Sequence, residues 1–361
     1  MDDDNDSSIE NLDKQILKRY EIIKKVGKGA YGIVWRAQDR VTGQLVALKK
    51  VFGAFQNVID AQRTYREITL LRQLKSHPFI VGLLQVHRAE NDNDIYLAFE
   101  FMDTDVHTVI HAGILLDVHQ RYIFWQLLCA LKFIHSAGVI HRDLKPSNML
   151  IKSDSSIKVC DFGLSRCIND MHQDELLTDY IATRWYRAPE IIFGSSKYGP
   201  GIDMWAAGCI LAELVSGRPL FPGASTMDQL ERVISFTGMP NKEDIESMQC
   251  PMVETMLGNL TFSRPQLVLE ERLSGADPDA IDLIKKLCQF NPNKRPTAEQ
   301  CLAHPYLKAF HFESREVSSS VQVKMALSDA TKHTIREYRN QIYKEAVSNP
   351  DRGLKKKKSD S

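Results

Sequence analysis

The seven cysteines, Cys129, Cys160, Cys167, Cys209, Cys250, Cys288 and Cys301, are odd in number and never fall in Cys-x-x-Cys spacing. That pattern argues against both a disulfide framework and a zinc site, and it fits a reducing compartment. Net charge is missing too: 46 basic against 46 acidic residues leave no global field to draw the chain to nucleic acid or to a membrane surface. No secretory signal stands at the N-terminus and no internal repeat is visible. Nor is there an apolar run fit to span a bilayer. The most apolar stretch, Asp203 to Ser216, is short and carries Asp203 and Glu213, so with Trp205, Ile210, Leu211 and Leu214 around it the reading is a buried helix.

What is present begins with length. A chain of 361 residues exceeds one usual domain and predicts two lobes with sizeable cores. Charge is polarised at the ends: the start, Asp2-Asp3-Asp4-Asn5-Asp6, is acidic and the finish, Lys355 to Lys358, is basic. Residues 1–19 and 347–361 read as disordered tails, the lysine run being either solvated or a nuclear address.

The chain is organised around His141-Arg142-Asp143-Leu144-Lys145-Pro146-Ser147-Asn148, followed by Asp161-Phe162-Gly163. Between them, Met149–Ile151 and Ile157–Cys160 are apolar runs separated by Lys-Ser-Asp-Ser-Ser, which predicts a hairpin. A hairpin alone has no need of Asp, Lys, Asn and Asp at these offsets, whereas a metal-bound polyphosphate does. In that chemistry Asp143 accepts the proton of an attacking hydroxyl and Lys145 offsets charge on the phosphoryl group in flight. Asn148 and Asp161 offer hard oxygen atoms to Mg²⁺.

Upstream, Glu21 to Val26 reads as a strand running into Gly27-Lys28-Gly29-Ala30-Tyr31-Gly32-Ile33-Val34, where glycine lets backbone N–H groups approach phosphate. Strand-like residues, not a helix, follow these glycines, which excludes a dinucleotide fingerprint. Leu45 to Lys49 is a strand ending on a lysine. Asp60 to Leu74 has helical spacing with Tyr65, Ile68 and Leu71 on one stripe, and Glu67 on it is within reach of Arg63 one turn earlier. Ile95 to Met102 reads as a strand, and His119 to Ser136 as a core-facing helix.

From Tyr20 to about Phe310 this ordered set resembles the eukaryotic protein kinases. The resemblance implies an α+β bilobal kinase fold, with a small β-rich N-lobe (20–102) and a larger helical C-lobe (103–310), and ATP with Mg²⁺ as cofactors. It assigns ATP contacts to Val26, Gly27, Lys28, Gly29, Ala30, Tyr31, Gly32, Ile33, Val34, Ala47, Lys49, Glu67, Phe99, Met102 and Asp105. Lys49 would meet the α- and β-phosphates and pair with Glu67, Phe99 would close the back of the adenine pocket, and the Met102 backbone would pair with adenine. Asp203 would tie the catalytic loop's backbone, Glu190 would pair with Arg295 beneath the activation segment, and Thr183 joins the catalytic set.

Lys145 is similar to the residue serine/threonine kinases carry there, and Thr178-Asp179-Tyr180 resembles the activation lip of mitogen-activated protein kinases. Ala61 to Ile68, Phe221-Pro222-Gly223 and an insert around 239–275 agree. Phe99 and the phrase Glu100 to Asp105 look most like the atypical extracellular-signal-regulated branch, which autoactivates and is linked to cilia, although Asp179 stands where glutamate is usual. This subfamily implies phosphorylation of Thr178 and Tyr180, by an upstream kinase or by the chain itself. Arg66, Arg142 and Arg166 would then receive the Thr178 phosphate, and Arg184 and Arg187 that of Tyr180. It further implies substrates with Ser-Pro or Thr-Pro sites, a monomer without nucleic-acid or membrane partners, and residence in the cytoplasm, the nucleus or the cilium. The competing readings are a cyclin-dependent-like kinase, which should lack Tyr180, a pseudokinase scaffold, which should lose Lys49, Asp143, Asn148 or Asp161, and a non-kinase nucleotide-binding module, which would not explain the activation lip.

After the core, Phe310 to Glu316 replaces the family's acidic docking patch with charges that nearly cancel: Glu313 and Glu316 are diluted by Arg315. Within the extension 311–346, Ser328 to Ala346 reads as a helix with Ile335, Tyr338, Ile342 and Ala346 on one stripe, expected to pack back across both lobes.

Overall fold

The computed structural model describes residues 12–29, 32–170, 183–261 and 264–347. The chain has an α+β architecture, one β-rich unit and one mostly helical unit, and these two compact units interleave in sequence. One comprises residues up to Arg72 with Gly82–Phe101 and everything from Lys332; the other comprises Gln73–Val81 and Met102–Thr331.

The first unit is an antiparallel five-stranded sheet in the order β1-β2-β3-β5-β4, formed by β1 (Tyr20–Gly29), β2 (Gly32–Asp39), β3 (Leu45–Val51), β4 (Leu83–Arg88) and β5 (Ile95–Glu100). Alternation along β3 decides its two faces: Val46, Leu48 and Lys50 are buried on one side, which leaves Ala47 and Lys49 on the other. The buried side meets a short helix, α1 (Lys14–Arg19), through Leu12, Ile16, Trp35 and Ala37. So the acidic tail expected over 1–19 is, from Leu12 onward, part of the core. Leu12, Ile16 and Tyr20, before, within and after this helix, are all buried, and Asp13 ties down the turn by accepting from Tyr96 Oη at 3.0 Å and Glu90 N at 2.7 Å. Buried Lys50 meets Asp94 at 3.5 Å and the Tyr96 ring at 5.2 Å. Helix α2 (Val58–Gln73) buries Tyr65, Ile68 and Leu71 completely.

The second unit is mostly helical, with the small strands β6 (Thr104–Asp105), β7 (Val139–Ile140), β8 (Met149–Ile151), β9 (Ile157–Val159) and β10 (Arg166–Cys167). After α3 (Val106–His111), its core is built by α4 (Asp117–Ser136), α5 (Gly201–Ser216), α6 (Thr226–Thr237) and α7 (Pro278–Leu287). The apolar run is indeed a buried helix: α5 buries every residue from Ile202 to Leu214. It approaches α7 closely at Gly208, where a Cβ would fall 2.6 Å from Cys288 Sγ and 2.8 Å from Leu287 Cβ.

The chain then returns to the first unit through α8 (Ile335–Val347), which begins seven residues later than its sequence pattern suggests. Tyr338 is buried with its ring 5.5 Å from that of Tyr65, and Arg339 lies 4.8 Å over Phe55. Ahead of it, residues 311–331 belong to the second unit, and there Glu316 is buried, accepting from Trp125 Nε1 at 2.8 Å, Phe312 N at 3.1 Å and His311 Nδ1 at 2.9 Å. Of these two acids Glu313 is exposed, while Glu316 is consumed in fixing the extension to α4.

His77 makes the fold pH-sensitive. It is 2% exposed, stacks on Phe133 at 4.7 Å, and its Nε2 has no partner among the described residues. Burial first, and then the charge of Lys158, lowers its pKa from 6.5 to about 4. The unfolded chain thus binds a proton below pH 6.5 that the folded chain refuses. The stability is complete above pH 6.5 and is lost as pH falls toward 4, at up to about 1.4 kcal/mol per pH unit for this one group. Urea unfolding across this window should show a shallower pH slope for His77→Phe than for the parent; equal slopes would contradict the account.

Candidate active site

In the first unit, the alternation that buries Leu48 turns Lys49 to the opposite face, where its Nζ stands 3.4 Å from Glu67 Oε1 and 3.5 Å from Oε2 on α2. Of the two partners the sequence offered Glu67, this contact brings in Lys49. Ala47 pairs in register with Phe99 of β5, and Val34 with Lys49, so these predicted ATP contacts share one patch of the sheet. Gly32 is glycine of necessity, since a Cβ there would sit 2.0 Å from the Lys50 carbonyl oxygen. At Gly27 and Gly29, by contrast, a Cβ would meet nothing within 4 Å among the described residues. Lys28, Gly29 and Ile33 lie in the same strand pair, Lys28 opposite Ile33, and Val26 is half exposed. Ala30 and Tyr31 lie outside the described residues.

In the second unit, Asp143, Lys145 and Asn148 come together. Asp143 is 9% exposed; its Oδ2 accepts from Lys145 Nζ at 2.8 Å and from Asn148 Nδ2 at 3.0 Å. Asn148 Nδ2 also donates to the Asp143 carbonyl at 2.8 Å, so the amide nitrogen is spent within the loop. The loop's backbone is held from below by Asp203 on α5, which accepts from His141 N at 2.8 Å, Arg142 N at 2.9 Å and His135 Nε2 at 2.9 Å. Burial works against ionising Asp203, yet the bond and charge of His135, with His141 and the Arg142 amide, hold its carboxyl below the usual range. That grip explains how Arg142 keeps a φ of 70°, a left-handed conformation costing a non-glycine residue on the order of 1 kcal/mol or more. His135 had no signal in the sequence: an α4 histidine gains meaning only through its tertiary partner.

Asp161 also has a left-handed φ, 63°. Strands β8 and β9 pair Met149 with Val159, and Cys160 N donates to the Asn148 carbonyl at 3.0 Å, which sets Asn148 and Asp161 side by side at the open end of the hairpin. The Asp161 carboxylate makes no hydrogen bond or ion pair among the described residues. One carboxylate and one amide oxygen suit Mg²⁺, which keeps most of its six positions for water and phosphate oxygens; they would be too few for an all-protein calcium cage. The donor set therefore fits Mg·ATP.

Other predicted residues are partly occupied. Asp105 caps α3, accepting from Thr108 N at 2.9 Å; strand β5 ends at Glu100, before Met102, which is buried. Thr183 is exposed at the start of a single turn, Arg184–Tyr186. Among the predicted phosphate-receiving residues, Arg142 donates to Leu164 O at 3.0 Å, Arg166 to Ser165 O at 3.1 Å with Asp329 3.9 Å away, and Arg184 to Ala224 O at 3.0 Å. Arg66 is buried in α2, and Arg187 follows the turn. Thr178 and Tyr180 lie outside the described residues. Glu190 and Arg295 do pair, fully buried.

Comparison with known proteins agrees with this geometry. Residues 20–307 match the family model described as the protein kinase domain. The chain is 51% identical over 353 residues to "Extracellular signal-regulated kinase 2" of Dictyostelium discoideum, covering 97% of this chain and 95% of that one. To "Mitogen-activated protein kinase 15" of Xenopus laevis it is 49% identical over 337 residues, 92% of this chain but 57% of the relative. To "Mitogen-activated protein kinase mpkA" of Aspergillus fumigatus it is 40% identical over 342 residues, 93% of this chain and 80% of the relative. The chain thus spans nearly all of the first relative and little more than half of the second.

Proposed function

Because the chain belongs to the protein kinases, and within them to the mitogen-activated protein kinases, we propose that it phosphorylates Ser-Pro and Thr-Pro sites in proteins once Thr178 and Tyr180 are themselves phosphorylated. It is a serine/threonine protein kinase that uses Mg·ATP. The observation that carries the assignment of residues is the Asp143–Lys145–Asn148 cluster on a backbone gripped by Asp203.

In this reading Asp143 orients the substrate hydroxyl and takes its proton, and Lys145 balances charge on the transferring group. Mg²⁺, when bound, neutralises charge on the phosphates. Asn148 and Asp161 supply oxygen to it, and Lys49, steadied by Glu67, positions the phosphates. The residues Thr183 to Arg187 receive the substrate residue after the phosphorylated one. Proline suits that position, having no N–H that must find a partner. No described helix is long and apolar enough to cross a membrane; the proposal places the protein as a monomer in the cytoplasm, with nuclear or ciliary residence implied by resemblance.

Activation follows from charge. In this reading Arg66, Arg142 and Arg166 exchange their present partners for the Thr178 phosphate, which brings roughly −1.5 to −2 charges. Hydrogen bonds to charged groups contribute about 1.5 to 3 kcal/mol each, and swinging a two-state segment from mostly off to mostly on takes about 5.5 kcal/mol, so two or three such bonds suffice and one does not. Steady-state assays of the parent, Thr178→Ala and Tyr180→Phe should show large losses in both variants. Undiminished activity in both would rule the switch out.

A further inference from the structure

The turn Arg184–Tyr186 is anchored at each of its three residues to a different partner. Arg184 donates to Ala224 O at 3.0 Å, Trp185 Nε1 to Gly223 O at 3.1 Å, and Tyr186 Oη to Glu213 Oε2 at 2.6 Å. Among the described residues, one side chain holds this turn's backbone: Gln229 Nε2 on α6 donates to the Trp185 carbonyl at 3.4 Å. The other end of the same amide is used as well, Oε1 accepting from Gly223 N at 3.1 Å. Gln229 is completely buried. Gly223 packs against it so tightly that a Cβ there would fall 2.4 Å from Gln229 Oε1 and 2.7 Å from its Cα. A glutamine buried to this degree, with donor and acceptor each spent on a different loop backbone, holds those loops in a fixed register.

We infer that Gln229 is a positioning residue that sets selection of the substrate residue after the phosphorylation site, by locking the Trp185 carbonyl to the 223–224 loop. The inference rests on the reading of Thr183 to Arg187 as the receiving pocket, and deepens it by naming what fixes the pocket's shape. Gln229, with no exposed surface, acts through the turn. If the donor to Trp185 O is removed, the carbonyl is freed to turn, and substrates with an N–H after the phosphorylated residue gain a partner that the locked turn denies them.

The test uses the full chain, phosphorylated at Thr178 and Tyr180, with a peptide set varied only at that following position. Gln229→Glu keeps the acceptor for Gly223 N and loses the donor to Trp185 O; Gln229→Met loses both at similar volume. Both variants should flatten the preference at this position by about three- to tenfold, mainly through KM for the favoured peptide and not through kcat. A Gln229→Glu protein with the parent's melting temperature and the parent's preference would overturn the inference, as would a loss equal for every peptide. If the parent favours a residue other than proline, the proline reading fails while Gln229 is judged by the same flattening. A parent indifferent to this position overturns both.

Discussion

Replacing Asp143 by asparagine lowers phosphoryl transfer to peptide by about 10²- to 10⁴-fold and leaves Mg·ATP binding intact. The substitution keeps the side chain's shape, so the loop held by Asp203 has no reason to move. What changes is chemistry. Oδ2 of Asp143 is where two donors converge, Lys145 Nζ at 2.8 Å and Asn148 Nδ2 at 3.0 Å, and both orient the carboxylate for an incoming hydroxyl. An amide offers at most one acceptor oxygen and carries no charge with which to take a proton. Because ATP is gripped by other residues in this account, the loss should fall on kcat, with nucleotide affinity measured by fluorescence titration unchanged. Equal turnover in variant and parent would remove Asp143 from its role.

Glu190→Gln or Arg295→Met is expected to destabilise the second unit by about 3–5 kcal/mol, a large fraction of the 5–15 kcal/mol that holds a typical domain together. Their side chains are 1% and 0% exposed. Arg295 has its donors fully engaged: Glu190 at 2.6 and 2.8 Å, Gln289 O at 2.8 Å, Gly201 O at 3.0 Å and Phe290 O at 3.0 Å, with its guanidinium 5.1 Å over Trp205. Removing one partner leaves a buried charge uncompensated, which is why single substitutions are costly, while the double substitution should recover part of the loss. Urea denaturation of the two single variants and the double variant checks this. Additive losses would mean that the two residues do not act as a pair.

Chemistry that demands particular residue types at particular offsets was readable from the chain alone. Asp143, Lys145 and Asn148 do meet, because a loop of this length between two short strands has few ways to fold. The stripe Tyr65, Ile68 and Leu71 became a buried helical face because periodicity is a local property. What escaped the sequence depends on distant partners. Glu316 looks like a surface acid until its contact with Trp125, 191 residues away, is known. His135 and Gln229 are ordinary helix residues until Asp203 and Trp185 are placed beside them. The acidic composition before Lys14 concealed the spacing of Leu12 and Ile16, a shorter pattern than a composition average can register. Asp105 shows a local competitor, since a helix cap claims a side chain that the resemblance gave to ATP.

The most direct measurement is transfer of label from γ-labelled ATP to a peptide library, comparing the parent phosphorylated at Thr178 and Tyr180 with Asp161→Asn. The account predicts label on serine and threonine only, concentrated before proline, abolished by chelation of Mg²⁺ and nearly absent with Asp161→Asn. Undiminished labelling by Asp161→Asn, or labelling that survives chelation, would contradict it.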